Sequence, residues 1–156
     1  MSELLNLYGS TSKVVRAVTD AALRQHGLRL GQDHLLAALW RLDGQAPGEL
    51  AAALHVTTPA ITKGATVLEK SGLLERRNDD RDNRLVRLWL TDKGRALQEP
   101  VKEARLKVEA KLTEALSKKE KDLFAISLAK ILAAGSEFLT ASNDADPFDR
   151  KTARRS

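Results

Sequence analysis

Residues 47–90 read PGELAAALHVTTPAITKGATVLEKSGLLERRNDDRDNRLVRLWL, and the punctuation of this stretch decides the fold. Pro47 to Leu54 places Leu50, Ala51 and Leu54 on one helical face, His55-Val56-Thr57 interrupts it, and Thr58 to Ser71 resumes the helical period. Thr58 followed by Pro59 predicts a helix start, because a threonine hydroxyl caps orphan amides and proline suits the first helical position. Gly72 supplies a left-handed stop. Beyond it, Leu73 to Arg77 and Arg84 to Leu90 predict two short strands around the polar tip Asn78 to Asn83. Val86, Leu88 and Leu90 alternate with Leu85, Arg87 and Trp89, as a half-buried strand requires.

Two short helices joined by a tight turn and followed by a hairpin form a winged helix-turn-helix, the unit that lays its second helix in the DNA major groove. At about 100° per residue, Ile61, Gly64, Ala65 and Leu68 share one side of that helix. Pro59, Lys63, Thr66 and Lys70 share the other, flanked by Thr58 and Thr62. Threonine hydroxyls donate or accept, threonine methyls suit a thymine methyl, and Lys63 reaches guanine or phosphate. No Arg, Asn or Gln stands on this helix, so bidentate base contacts are absent from it. The hairpin compensates with Arg76, Arg77, Arg81, Arg84 and Arg87, a residue type that enters narrow minor grooves and reads their width.

Outward from this unit, the apolar spacing predicts a long first helix from about Leu4 to Gln25, with Gly9-Ser10 as a weak point, and a shorter one from Asp33 to Leu42. Thr91 begins another, running past Leu116 with Pro100 in an early turn or at a kink. Ser117-Lys118-Lys119-Glu120 is a capping box that opens a last helix rich in Leu, Ile and Phe. Residues beyond Ala141 read as a tail. The predicted class is mainly α (α+β), with a winged helix-turn-helix lobe over residues 33–92, helices for dimerisation in 1–30 and 93–141, and a flexible basic tail over 142–156. The terminal helices are too apolar to stand alone on a surface, which predicts an intertwined homodimer.

The 156 residues suit one such unit and exclude two large domains. The absence of cysteine excludes disulfides, thiolate metal sites and thiol redox switching. No charged leader precedes an apolar stretch, and no apolar run approaches the roughly 18 residues of a bilayer span, so a cytoplasmic protein without a membrane partner is expected. Of the formal charge of +5, a net +3 lies in the last eight residues, where Arg150, Lys151, Arg154 and Arg155 stand against Asp149. The basic balance is therefore a property of the tail.

The segments Val56 to Lys63, Leu68 to Arg77 and Leu90-Thr91-Asp92-Lys93-Gly94, with Asp79-Asp80-Arg81-Asp82-Asn83-Arg84 between them, resemble in order and spacing the multiple-antibiotic-resistance regulator (MarR) family of winged-helix transcription factors. The resemblance implies a single MarR-like domain over 1–156 that binds double-stranded DNA as a homodimer, as a ligand-responsive repressor on a pseudo-palindromic operator. It places Arg81 at the wing tip in the minor groove, with Asp79 and Arg84 bracing the wing by an ion pair. Thr57, Thr58, Pro59, Thr62, Lys63 and Thr66 fall on the recognition helix, and Arg76 and Arg77 on the wing. It also implies a small aromatic acid as effector, bound where the lobes meet, which makes Trp40, His26 and His34 pocket candidates. The sequence departs from the family pattern at Gly64, Ala65, Thr66 and Val67; Gly64 either serves a close contact or softens the helix by about 1 kcal/mol relative to Ala.

Asp79-Asp80-x-Asp82 has the alternating carboxylates of a calcium loop but lacks its glycine and distal glutamate, so no metal is expected. The three histidines form no His-x₃-His pair, and no cofactor is implied. No nucleophile, base and orienting acid assemble from adjacent motifs, nor does a phosphate-cradling glycine loop, so the chain is not read as an enzyme. A winged-helix interaction module without specific DNA binding stays open, on the strength of the weakly basic second helix.

Overall fold

A computed structural model describes residues 3–144, the side chains of 142–144 excepted. The chain divides into two units, the first ending at Leu112 and the second beginning at Thr113. The first carries α1 (Glu3–Arg24), α2 (Gln32–Arg41), α3 (Pro47–Leu54), α4 (Thr58–Lys70), β1 (Leu74–Asn78), β2 (Val86–Leu90), α5 (Asp92–Ala96) and nearly all of α6 (Gln98–Thr113). The second carries α7 (Lys118–Asp144). This is a mainly helical fold with one two-stranded antiparallel sheet, the predicted class. The basic tail predicted over 142–156 lies outside the described residues, save that the backbone of α7 continues helical to Asp144.

Local chemistry explains the boundaries. α3 opens with Pro47 in its first turn, and Glu49 reaches back to accept from the Ala46 amide at 3.0 Å. It ends at His55, whose φ of +54° is the only positive value of a non-glycine residue among those described. α4 is capped one residue earlier than predicted: Thr57, not Thr58, is extended, and its Oγ1 accepts from the Ala60 amide at 3.3 Å. Pro59 therefore sits second in the helix, where its missing N–H costs nothing because first-turn amides lack carbonyl partners anyway. At the far end Gly72 takes φ +74°, and the Leu73 amide donates to the Leu68 carbonyl at 2.9 Å, a left-handed termination.

Two predicted features differ. Gly9 and Ser10 do not interrupt α1. The helix expected from Thr91 past Leu116 is instead α5 and α6, parted at Leu97, and it stops at Thr113. Pro100 has no N–H for the Ala96 carbonyl, four residues back, and its ring crowds that oxygen, so the break falls there. The capping box at Ser117 forms as expected, with the Ser117 amide donating to Glu120 at 2.7 Å and the Glu120 amide to Ser117 Oγ at 3.2 Å.

The core of the first unit lies between α2, α3, α4 and the sheet, with Leu36, Leu39, Leu50, Leu68, Leu74 and Leu88 fully buried. Leu23, Leu28 and Val101 extend it to α1 and α6. Asp20 closes the corner after α1: it accepts from the Leu30 amide at 2.8 Å and pairs with Arg29 and Arg24, and these donors hold its carboxyl down at about 2. The Thr91 amide donates to the Leu73 carbonyl, and Gly94 lies so close to the same carbonyl that any Cβ would overlap its oxygen.

Outside this core the chain leaves much apolar surface uncovered. Leu4, Leu5, Leu7 and Tyr8 on α1 are at least half exposed, and so are Leu123, Phe124, Ile126, Ile131, Leu132, Phe138 and Leu139 on α7. The segment Lys118–Ala141 is also long and apolar enough to cross a membrane by length and composition, with a mean hydropathy of 1.5. The expectation that no stretch approaches a span is corrected to that extent: only Lys130 and Glu137 interrupt residues 123–140, too few to lower the mean.

Two glycines separate packing from conformation. A methyl added at Gly64 meets only Leu35 Cδ2, at an ordinary 3.7 Å, so no close contact needs the gap. Gly64→Ala is expected to raise stability by about 1 kcal/mol, and Gly94→Ala to lower it by about 2 kcal/mol or more. Chemical unfolding of the two variants checks this, and a loss at Gly64 contradicts it.

Candidate nucleic-acid interface

The outer face of α4 is built by its first turns. Thr57, Thr58, Pro59, Thr62 and Lys63 are exposed and Thr66 is half-buried. Thr62 Oγ1 donates to the Thr58 carbonyl at 3.1 Å and Thr66 Oγ1 to the Thr62 carbonyl at 2.9 Å. Both hydroxyl protons are thus committed to the helix, which leaves oxygen lone pairs and methyl groups facing outward. Lys63 and Lys70 supply the face's positive charge and have no ion pair among the described residues.

The wing follows from its register. β1 and β2 pair Leu74 with Leu90, Glu75 with Trp89, Arg76 with Leu88, Arg77 with Arg87 and Asn78 with Val86. Residues paired across strands share a face and alternate along each strand. Leu74, Arg76, Leu88 and Leu90 therefore turn towards the helices, while Glu75, Arg77, Arg87 and Trp89 turn away. Gln45 adds a single bridge to the far side of β2, accepting from the Leu88 amide at 2.9 Å.

Directly opposed, Arg77 and Arg87 would repel, and each is neutralised by neighbours. Arg77 pairs with Glu75 and lies 5.3 Å over the Trp89 ring. Arg87 donates to Asp79 at 2.6 Å and to the Gly44 carbonyl at 3.0 Å, with Glu49 at 3.5 Å. Asp79 also accepts from the backbone amides of Arg81 and Asp82 at 2.8 and 3.1 Å, which folds the tip. The expected partner of Asp79 is corrected here: it is Arg87 on β2, not Arg84. Arg84 lies in the tip itself, donates to Asp82 at 3.3 Å and has a 93% exposed side chain. Arg81 projects from the folded tip with no ion pair or side-chain hydrogen bond among the described residues.

Arg76 departs most from its expected place. Its guanidinium reaches back across α4, to Glu69 and Thr66 at 2.8 Å each and to the Thr62 carbonyl at 3.3 Å. Neither Arg76 nor Arg87 was assigned these partners from the sequence. The signal was present in the strand period, since Leu74-x-Arg76 alternates in step with Leu88-x-Leu90.

The three pocket candidates do not come together. His26 lines a cleft of about 500 Å³ between the end of α1 and α6, with Val18, Ala22, Glu103 and Lys107. His34 and Trp40 line another of about 490 Å³ between α2 and α6. Trp40 donates its indole N–H to the Gly94 carbonyl at 2.9 Å. In the second cleft stands a pair that sequence reading missed: Asp33, buried on α2, bonded to Arg105 of α6 and to the Gly31 amide at 3.0 Å. Their separation by 72 residues hides the pair from any local pattern.

The Asp79 carboxyl is held at about 2, first by Arg87 and then by the two tip amides. Because its folded value lies below the ordinary 3.8, its contribution to wing order is fully present above that pH and is lost as the pH falls towards 2. A carboxyl titration by NMR is expected to give Asp79 a midpoint near 2, moving the Arg81 and Asp82 amides with it. Asp79→Asn is expected to speed hydrogen exchange at those amides at neutral pH. An ordinary midpoint and unchanged exchange contradict this bracing.

Comparison with known proteins places this geometry. The MarR family pattern matches residues 28–86. The chain is 25% identical over 130 residues to the uncharacterized HTH-type transcriptional regulator YdgJ of Bacillus subtilis, covering 83% of this chain and 77% of YdgJ. It is 37% identical over 87 residues to the transcriptional repressor MprA of Escherichia coli, covering 56% of this chain and 49% of MprA. The chain thus spans about half the length of MprA. Among solved structures, the S. aureus MepR–DNA complex superposes with a TM-score of 0.77 and 26% identity over 86% of this chain and 99% of the other. A putative MarR family regulator of Listeria monocytogenes, complexed with 26mer DNA, shares the fold with a TM-score of 0.79 and 16% identity over 93% and 97% of the two chains. The segment that matches the MarR family pattern carries α2, α3, α4, β1 and the wing tip described above, and ends where β2 begins.

Proposed function

We propose that the chain binds double-stranded DNA as a homodimer, setting α4 in the major groove and the wing tip in the adjacent minor groove, and so represses transcription. The observation that carries this reading is the wing: Asp79 and Arg87 fold a tip from which the Arg81 guanidinium projects without a protein partner among the described residues. Thr57, Thr58, Pro59, Thr62 and Lys63 form the accompanying exposed face of α4, with Thr66 at its half-buried edge. Arg84 and Arg77 flank the tip. The likeness to MepR, whose structure is that of a DNA complex, supports the same reading.

Two copies would set their α4 helices about 34 Å apart on a pseudo-palindromic site. The exposed apolar residues of α1 and α7, in the segments 1–30 and 93–141, are the surfaces two copies would cover, since patches of this kind on a lone chain mark association. Repression is the activity in MprA's name. A small aromatic acid is the effector class proposed for the cleft holding His34, Trp40 and Arg105, where an arginine beside an indole suits a carboxylate on a ring. Intracellular, membrane-free action belongs to the same proposal, with the apolar face of α7 covered by protein.

Duplexes selected from a random pool by the purified chain test the reading directly. With a selected duplex, Arg81→Ala is expected to weaken binding and to reduce the slope of log affinity against log salt by about 0.9 for each phosphate that the wing no longer neutralises. Unchanged affinity and slope favour the alternative, a winged-helix interaction module. The dimer is tested separately: Leu132→Asp, on the exposed face of α7, is expected to convert a dimer to monomer in sedimentation. A monomeric wild type contradicts it.

A further inference from the structure

We propose that Arg76 is a positioning residue that sets α4 against the wing, and thereby governs how well the interface discriminates between DNA sequences, rather than contacting DNA itself. This rests on the DNA-binding reading above. The strand period turns Arg76 inward, on the same face as buried Leu74 and Leu88. From there its guanidinium spans two turns of α4, donating from Nη1 to Glu69 and from Nη2 to both Thr66 Oγ1 and the Thr62 carbonyl. The Thr66 hydroxyl closes the arrangement by donating to the same Thr62 carbonyl.

Three features separate a tether from a surface ion pair. The Arg76 and Glu69 side chains are 33% and 39% exposed, so the greater part of each is shielded by its neighbours although the contact lies at the surface. A planar guanidinium holding a carboxylate, a hydroxyl and a carbonyl fixes direction as well as distance, which a flexible ammonium does not. The helix atoms it holds also belong to Thr62 and Thr66, residues of the proposed reading face. A tilt or roll of α4 about its axis lengthens these bonds and displaces the same threonines from base edges.

A phosphate is a poor competitor for this guanidinium. To reach it, the phosphate would replace Glu69 and lie beside that residue's negative charge. Among the wing's outward cations, Arg81 has no carboxylate partner among the described residues and offers no such obstacle.

The test compares a selected duplex with a random one, over a salt series, for the purified full chain and for Arg76→Ala, Arg76→Lys and Glu69→Ala. Both Arg76 variants are expected to bind the selected duplex about tenfold more weakly, comparable to one mismatched base pair. Affinity for the random duplex and the salt slope are expected to stay unchanged. Glu69→Ala, which reaches the same contact from the helix, is expected to lose discrimination too, although it removes a negative charge, and to add nothing to Arg76→Ala. Three outcomes overturn the proposal: a salt slope lowered by about 0.9 in Arg76→Ala, full retention of discrimination in Arg76→Lys, or tighter selected binding by Glu69→Ala. Wild-type protein that binds no duplex overturns the DNA-binding reading and this inference together, whereas discrimination kept by Arg76→Lys overturns only the inference.

Discussion

The pairing of Leu74 with Leu90 and of Asn78 with Val86 constrains the site more than any other interaction in the chain. Side chains alternate faces along a strand, so a slip of one residue would exchange the two faces of the wing. It would expose Leu88 and Leu90 and press Arg87 and Trp89 into the core of α2, α3 and α4. The register is held from three sides: buried leucines on the inner face, the Asp79–Arg87 pair on the outer face, and the Gln45 bridge at the edge of β2. Every role assigned to a wing arginine descends from this choice. Arg76 faces α4, Arg77 and Arg87 face outward, and Arg81 and Arg84 lie beyond the last pair.

The same constraint explains why a short hairpin of two five-residue strands can be ordered at all, since an isolated two-stranded hairpin is marginal in water. Here its inner face is completed by helices, and both of its ends are fastened. At one end Thr91 donates its hydroxyl to the Gly72 carbonyl at 2.6 Å, and Lys93 reaches the Ser71 carbonyl at 3.0 Å. At the other, Asp79 gathers two amides and one guanidinium. Energy accumulates in the frame, and among the described residues of the wing Arg81 is the arginine left without an ion pair.

Much of this was legible in the sequence because it depends on short-range chemistry. The break at His55, the stop at Gly72, the capping box at Ser117 and the alternation from Val86 to Leu90 each follow from residues within a turn or two of one another. The cap of α4 was displaced by one residue because Thr57 and Thr58 offer the same hydroxyl, and only backbone geometry selects between them. What could not be read locally depends on separation. Asp33 and Arg105 lie 72 residues apart, and the fold puts His26 and Trp40, both pocket candidates in the sequence, in different clefts. The Asp79 partner was misassigned for a related reason: a spacing pattern identifies which arginines are near, whereas the pleat decides which one faces the carboxylate.

The division of labour on the interface follows from charge and reach together. α4 presents two lysines and a row of threonines, of which Thr62 and Thr66 have their protons bonded to the helix, so these two offer only lone pairs and methyl groups. Such contacts are short-ranged and demand accurate placement, whereas a guanidinium on a projecting tip tolerates ångström shifts because it responds to potential. On the proposed reading, a surface of this composition would gain affinity from the wing and discrimination from the rigidity of α4. In the role proposed for it, Arg76, which joins the two, would bear more on what is recognised than on how tightly, even though its type alone would place it among the DNA contacts.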